Sequence, residues 1–174
     1  GRRDYAILRL AAELGLRRRE IVGLDLEDFD APAAELKIRG KGRREKETLA
    51  CSARTAEIIQ QWIEVRPRPR AGSPLFTNLI PGRTGRISGP AVYLIVRSLG
   101  KAALPASSRR KIGPHKIRHT AITSAVRLAK ANGLAREEVQ KFSRHKDFRM
   151  VARYIDTDDQ AQAILARANG QRLA

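Results

Sequence analysis

The sequence predicts a mainly α-helical domain that carries a small antiparallel β-hairpin, an α+β arrangement. In most segments apolar residues recur at the spacing that lines one face of a helix. Two short alternating segments around a basic, glycine-rich turn supply the hairpin. We find no internal repeat, and a length of 174 residues fits one domain. We therefore expect a single domain over residues 1–174.

Two helices are predicted at the start of the chain. The apolar stripe of residues 3–14 indicates a helix, and Gly15 follows where a left-handed C-cap would end it. A second, short helix begins within residues 19–30, and its acidic end is expected to form a loop that stops at Pro32.

The hairpin is predicted within residues 34–51. Leu36 and Ile38 would face inward from its first strand, and Leu49 from its second. Cys51 lies at the strand end and is the only cysteine, so an intramolecular disulfide is excluded. With no histidine or second cysteine near it in sequence, it is interpreted as a small apolar residue rather than a reactive thiol.

The following helices have recognisable start signals. Ser52 and Ser88 are typical N-caps of helices with inward apolar stripes, and the proline-rich or basic stretches 67–74 and 105–114 are predicted loops.

The C-terminal part of the chain is predicted to be helical throughout. Pro114 suits the first turn of a helix that runs to about Ala131. Shorter helices are predicted over 136–142 and 148–155, and a last one over 158–168 with Asp158 as its cap.

The charge of the chain indicates a polyanionic partner. Lys and Arg number 35 against 18 Asp and Glu, which gives a formal net charge of +17 and a pI near 11.2. An anionic membrane surface is the other candidate, but no apolar run is long enough for a spanning helix, so nucleic acid is favoured. Without a recognisable leader and with a single cysteine, a location in a reducing cytoplasm is expected.

The segment GPHKIRHTA, residues 113–121, permits three interpretations. His115, Arg118 and His119 would share one helix face and could form a metal site, a phosphate clamp or an ordinary basic face with a core histidine. Lys116 stands where zinc proteases have glutamate, and no nearby carboxylate offsets the charge, so neither metal nor another cofactor is expected. The ordinary basic face remains an alternative for this motif taken alone.

Other motifs in the chain, considered together with this segment, favour the phosphate clamp over the ordinary basic face. Taken in chain order, they are LGLRRRE, GKG in the hairpin turn, HKIRH, SRH and a following tyrosine. In order, type and spacing they resemble the catalytic domain of the tyrosine recombinase, or phage integrase, family. The matching positions are Arg17, Lys41, His115, Arg118, His145 and Tyr154.

Four residues depart from the family pattern. Leu14 replaces a threonine, Arg19 a serine, Lys116 an aspartate or asparagine, and Arg144 the glycine before the second histidine. None of these changes removes a catalytic residue type.

The resemblance implies a phosphate clamp built from two arginines. A guanidinium donates two parallel hydrogen bonds to phosphate oxygens and stays charged at every working pH, which suits Arg17 and Arg118. His145 would help to orient the same phosphate by a hydrogen bond.

The resemblance also implies a covalent intermediate. Tyr154 would attack the phosphorus, His115 would accept its proton, and Lys41 would protonate the leaving 5′ oxygen. Taken singly, Tyr154 would be interpreted as a half-buried aromatic anchor and Lys41 as a solvated turn residue, and their joint placement with the other motifs reverses both interpretations.

The expected activity is therefore site-specific recombination or integration through a 3′-phosphotyrosyl link. The expected partner is double-stranded DNA, contacted further by Arg18, Arg19, Arg43, Arg44, Lys116 and Arg144. Family members act as tetramers that exchange a C-terminal helix. Residues 158–169 fit that role or that of a helix packed on its own domain, and the isolated chain could be a monomer.

Two other functions remain open at this point. A type IB topoisomerase resembles the family at the same catalytic residues, and a DNA-binding domain without activity would keep the fold and the charge. The family also carries a separate helical core-binding domain before the catalytic one, which we expect to be missing from residues 1–174.

Overall fold

A computed structural model describes residues 1–40, 42–67, 72–80, 85–103 and 112–155, without the side chains of Arg153 and Ile155. Within these ranges lie seven α-helices and one three-stranded sheet. The chain divides into two compact units, residues 1–121 and residues from 122 onward, and each unit is described by itself.

The first unit begins with two helices joined by a tight turn. Helix α1 spans Arg2–Glu13 and helix α2 spans Arg18–Val22. Gly15 has φ of +57°, and the Leu16 amide donates back to the Leu10 carbonyl at 3.4 Å. The predicted end of α1 at Gly15 is confirmed, because glycine adopts this left-handed conformation without steric cost.

A three-stranded antiparallel sheet follows, in the order β1–β2–β3. The strands are β1 (Phe29–Asp30), β2 (Glu35–Arg39) and β3 (Lys46–Ala50). The predicted hairpin is confirmed, and Leu36 faces Leu49 across it. The expected loop up to Pro32 is wrong in one detail, since Phe29 pairs with Leu36 and adds the edge strand β1. Two residues are too few to show an alternating pattern in the sequence.

The remaining helices of this unit are α3 (Ala53–Val65) and α4 (Gly89–Ala103). The predicted caps are confirmed: the Ser52 hydroxyl accepts from the Thr55 amide, and the Ser88 hydroxyl from the Ala91 amide, each at 3.2 Å. Helix α1 packs against both helices, and α2 also packs against α4.

The core of the first unit is formed by buried apolar side chains from α1, α2, the sheet, α3, α4 and the segment before α4. Its largest fully buried members are Phe76, Ile7, Leu10, Leu16, Ile21, Leu24, Leu36, Ile38, Ile59, Leu75 and Ile87. Cys51 is half-buried against this core, as its interpretation as a small apolar residue requires.

Helix α5 spans Pro114–Ala131, as predicted, so it begins in the first unit and ends in the second. The second unit also contains α6 (Arg136–Ser143) and α7 (Phe148–Ile155), which pack against each other. Ala129, Val139 and Val151 are the buried members of its small core. The helix expected over 158–168 lies outside the described residues, as does most of the loop 105–114.

Candidate active site

Arg17 lies at the N-cap of α2, two residues after the turn that ends α1. A buried carboxylate holds it from two directions: Glu20 Oε1 accepts from the Arg17 guanidinium Nη1, and Oε2 accepts from the Arg17 amide, both at 2.7 Å. Glu20 is only 4% exposed, so this ion pair is shielded from water on the carboxylate side. Glu20 thus holds the Arg17 guanidinium close to the Arg17 main chain, while 27% of the Arg17 side chain stays exposed.

Arg118 lies on α5 and is 6% exposed, so its guanidinium is largely buried. From Nη1 it donates a hydrogen bond to the main-chain carbonyl of Gly15. The contact joins α5 to the turn that leads into Arg17, across 103 positions of the sequence. A buried cation requires such a partner, since desolvation without a hydrogen bond is costly.

The two arginines line one cavity, together with the first predicted histidine. This α5 cavity has a volume of about 640 Å³, and its polar lining comprises Arg17, Arg18, Tyr93, His115, Lys116, Arg118 and His119. His115 and Lys116 are exposed within the first turn of α5, just ahead of the buried Arg118. A cavity with guanidiniums, imidazoles and no carboxylate in its lining is suited to an anion such as phosphate.

A second cavity lies between α2 and the hairpin. This hairpin cavity has a volume of about 530 Å³ and is lined by Arg17, Arg18, Arg19, Glu20, Gly23, Leu24, Asp25, Lys37, Arg39, Gly40, Gly42, Arg43 and Lys46. Arg17 and Arg18 therefore line both cavities. Lys41 itself lies outside the described residues, but Gly40 and Gly42 on either side of it belong to this lining. Arg44 lines a shallower depression on the hairpin with Arg43 and Lys46.

The second unit holds the other two predicted catalytic residues. The ring of His145, in the turn after α6, stacks on the ring of Tyr154 on α7, with centroids 6.1 Å apart and planes inclined by 23°. Gln140 on α6 donates from its side-chain amide to the His145 carbonyl at 3.2 Å. The contact places the phenol and the imidazole beside each other.

Arg144 occupies the position where the family pattern has glycine. Its backbone is left-handed, with φ of +54° and ψ of +33°, as glycine would readily adopt. The side chain is 7% exposed and donates from Nη1 to the Phe142 carbonyl at 2.8 Å. The turn before His145 therefore keeps the conformation of the glycine pattern, at a cost of about 1 kcal/mol for a non-glycine residue.

The structure thus brings Arg17, His115 and Arg118 together in one unit and pairs His145 with Tyr154 in the other. Of the predicted DNA contacts, Arg18, Arg19, Arg43, Arg44 and Lys116 line the cavities or the depression described above. The roles assigned to all these residues stay predictions.

The sequence interpretation missed three groups that the structure places in these cavities or against their residues. The Gly15 carbonyl had no sequence signal, because its partner Arg118 is far away along the chain. Lys37 and Arg39 did have a sequence signal, because they alternate with the buried Leu36 and Ile38. They therefore face outward together from β2. Tyr93 lies on α4 and had no signal that set it apart from other half-exposed aromatics.

Two further findings concern other classes of site. No three His, Cys, Asp or Glu side chains in the described ranges lie close enough to hold a metal ion. Among the same residues, no helix has the length and apolarity needed to cross a membrane.

The fold is similar to that of solved tyrosine recombinases. Over 97% of the chain it superposes on a crystal structure of XerA recombinase, with a TM-score of 0.74, 22% identity and 58% of that chain covered. XerH site-specific recombinase bound to palindromic difH substrate in a post-cleavage complex gives a TM-score of 0.71 and 20% identity, over 95% of this chain and 45% of the other.

The chain belongs to the phage integrase family, whose sequence profile matches residues 1–161. Tyrosine recombinase slr0733 of Synechocystis sp. is 39% identical over 165 residues, which are 94% of this chain and 50% of the relative. Tyrosine recombinase XerC of Azotobacter vinelandii is 37% identical over 120 residues, 68% of this chain and 38% of the relative. The chain spans about half the length, or less, of the curated relatives it matches.

Proposed function

We propose that this chain is the catalytic domain of a site-specific DNA recombinase that cleaves and rejoins strands through a phosphotyrosyl intermediate. The observation that carries the proposal is the α5 cavity, where Arg17 meets His115 and Arg118, although Arg17 is far from both in sequence. Phosphodiester cleavage needs fixed donors around a phosphorus that gains negative charge, and Arg17 and Arg118 are such donors.

The two guanidiniums would bind the non-bridging oxygens of the reacting phosphate. Glu20 fixes Arg17 and the Gly15 carbonyl fixes Arg118, so both donors are oriented before DNA binds. Preorganised donors stabilise the transition state without reorganisation at the moment of reaction. Each works as a charged group whatever the pH.

In the chemical step, the Tyr154 oxygen forms a bond to phosphorus and the bond from phosphorus to the 5′ oxygen breaks. His115 accepts the phenol proton, Lys41 supplies a proton to the leaving oxygen, and His145 orients the phosphate. The products are a 3′-phosphotyrosyl link and a free 5′-hydroxyl. Attack by a 5′-hydroxyl of a partner strand reverses these steps and releases the tyrosine, so phosphodiester bond energy is retained and no metal or nucleotide cofactor is needed.

Double-stranded DNA is the proposed partner, in agreement with the net charge of +17. Assembly as a tetramer on two DNA sites, with exchange of the helix over 158–169, is part of the same proposal, as is a location in the bacterial cytoplasm. Relatives named tyrosine recombinases favour strand exchange over topoisomerase activity or DNA binding alone.

The test is covalent trapping on a pool of nicked duplexes with a randomised core. The full chain is expected to form adducts that survive denaturation, and sequencing of the attached DNA identifies the target. Tyr154→Phe should bind DNA and form no adduct. Tyr93→Phe is the matched control, because Tyr93 is a phenol in the lining of the α5 cavity.

Adducts that persist in Tyr154→Phe and vanish in Tyr93→Phe would show that the nucleophile is misassigned. Relaxation of supercoiled DNA that lacks any selected target would instead indicate a topoisomerase.

A further inference from the structure

The hairpin cavity has a surplus of cations that the chemical step does not use. Its lining carries seven basic side chains from α2 and the hairpin against two carboxylates, Glu20 and Asp25. Both carboxylates are already engaged: Glu20 by Arg17, and Asp25 by Arg86 and, at 3.8 Å, by Lys46. The cavity therefore offers positive charge to an occupant.

Four of the basic residues form no ion pair with any other residue in the described ranges, namely Arg18, Arg19, Lys37 and Arg39. The other three are bound to carboxylates, as in the pair of Lys46 with Asp28 at 2.5 Å. The surplus is thus concentrated on the exposed face of β2 and on α2.

The register of the hairpin places further positive charges close together. Lys37 and Arg39 point to the same side of β2, and Arg39 lies directly opposite Lys46 on β3. Like charges at directly opposed positions of an antiparallel pair are destabilising. An anion bound beside them would offset that cost.

The position of the cavity selects the kind of anion. Arg17 and Arg18 line both this cavity and the α5 cavity, so an occupant of one lies next to an occupant of the other. A single anion would fill one cavity only, whereas a DNA strand presents a regular row of phosphates. The shared arginines favour one continuous strand across both.

We propose that the hairpin cavity binds the phosphate adjoining the reacting phosphate in the same DNA strand, with Lys37 and Arg39 as its contacts. This inference rests on the proposed function, because it takes the α5 cavity as the reacting site. Lys37 and Arg39 act as positioning residues: they hold the strand in register while Arg17 and Arg118 bind the phosphate that reacts.

The experiment combines a protein variant with neutralised phosphates. Nicked duplexes of the trapped target, each with one phosphate replaced by an uncharged methylphosphonate, are bound to the full chain and to Lys37→Gln/Arg39→Gln. For the unsubstituted chain, neutralising one phosphate next to the reacting one should weaken binding about tenfold, the size expected for a charge-assisted contact. In the double variant, the same replacement should cause less than a twofold further loss.

The salt dependence gives an independent readout. The double variant should show a log-log slope of affinity against salt that is shallower by about 0.9, as expected for one lost phosphate contact. At saturating DNA its adduct should still form, since Tyr154 and the phosphate clamp are intact.

Arg54→Gln/Lys101→Gln is the matched control, because it removes the same charge from exposed residues that line neither cavity. It should keep the tenfold methylphosphonate effect. Equal further losses in Lys37→Gln/Arg39→Gln at every neutralised position would overturn the inference. Absence of an adduct with the unsubstituted chain would instead overturn the proposed function, so the two failures are distinguishable.

Discussion

The buried guanidinium of Arg118 donates to the carbonyl of Gly15, the residue whose positive φ ends α1 two positions before Arg17. One turn of the backbone therefore sets the positions of both arginines. Glu20 completes the arrangement by binding the amide and the guanidinium of Arg17. The proposed clamp is thus held from its protein side by two groups, the Gly15 carbonyl and the Glu20 carboxylate.

Replacement of Gly15 by alanine should slow DNA cleavage markedly while lowering the stability of the fold only slightly. A Cβ at φ of +57° costs about 1 kcal/mol, and relief of that strain moves the carbonyl that Arg118 binds. We expect a fall of about tenfold or more in the rate of adduct formation at saturating DNA. Gly133→Ala is the control: Gly133 has φ of +64° and open space around its Cβ position. Equal rates in the two variants would exclude a positioning role for the Gly15 carbonyl.

Glu20→Gln should slow the same step while leaving DNA binding nearly unchanged. The amide keeps the shape of the carboxylate but loses the charge that holds the Arg17 guanidinium, so this donor becomes less well oriented. We expect about a tenfold loss in single-turnover rate and a loss of about 1–2 kcal/mol in the free energy of unfolding. Glu27→Gln, at an exposed position in the turn after α2, should change neither quantity. A rate for Glu20→Gln within twofold of the unsubstituted chain would contradict the argument.

The left-handed backbone conformation at Arg144 can be tested by comparing two substitutions that remove its side chain. Arg144→Gly and Arg144→Ala both lose the contact with the Phe142 carbonyl, so they differ only in how readily they adopt φ of +54°. The glycine variant should be more stable by about 1 kcal/mol in denaturant titration and should keep more activity, since His145 follows directly. At Ser98, an exposed site within α4, the order should reverse, because glycine is unfavourable inside a helix. An alanine variant as stable as the glycine variant at position 144 would rule out the left-handed turn.

Glu13 should make stability depend on acid pH. Burial by itself raises the pKa of Glu13, but hydrogen bonds from the Ser52 amide and from the Thr55 and Ser52 hydroxyls, with the charge of Arg9, outweigh it and lower the pKa. A carboxyl with a lower pKa when folded stabilises the fold above its unfolded pKa, and this contribution is lost as the pH falls through the folded value. Glu13→Gln should therefore cost about 1–2 kcal/mol at pH 7 and much less in strong acid.

The control for this pH dependence is Glu64→Gln, at an exposed position of α3. Thermal unfolding across acid and neutral pH should give parallel curves for this control and the unsubstituted chain. A Glu13→Gln curve that also runs parallel would show that the carboxylate contributes no pH-dependent stability.

Local signals in the sequence were sufficient for most of the fold. Apolar stripes, serine caps and Pro114 predict helices that the structure confirms, because each signal acts within a few residues. The edge strand at Phe29 was missed because its pairing depends on β2 rather than on its own pattern. The same distinction holds for the site: residue types and order indicated Arg17 and Arg118, but not the carbonyl that orients one of them.

The outward face of β2 shows a second limit of prediction from the sequence. Lys37 and Arg39 could have been assigned to the same side from their alternation alone, yet a charged exposed strand is usually solvated. Only the cavity that they share with Arg17 and Arg18 distinguishes them from ordinary surface charges.

Because Arg17 and Arg18 border both cavities, the proposed contacts with two adjacent phosphates would not be released one at a time. A small displacement of the segment between α1 and α2 would loosen both together. Under the proposed function, release of the DNA strand would then follow a single motion of this segment and occur in one step.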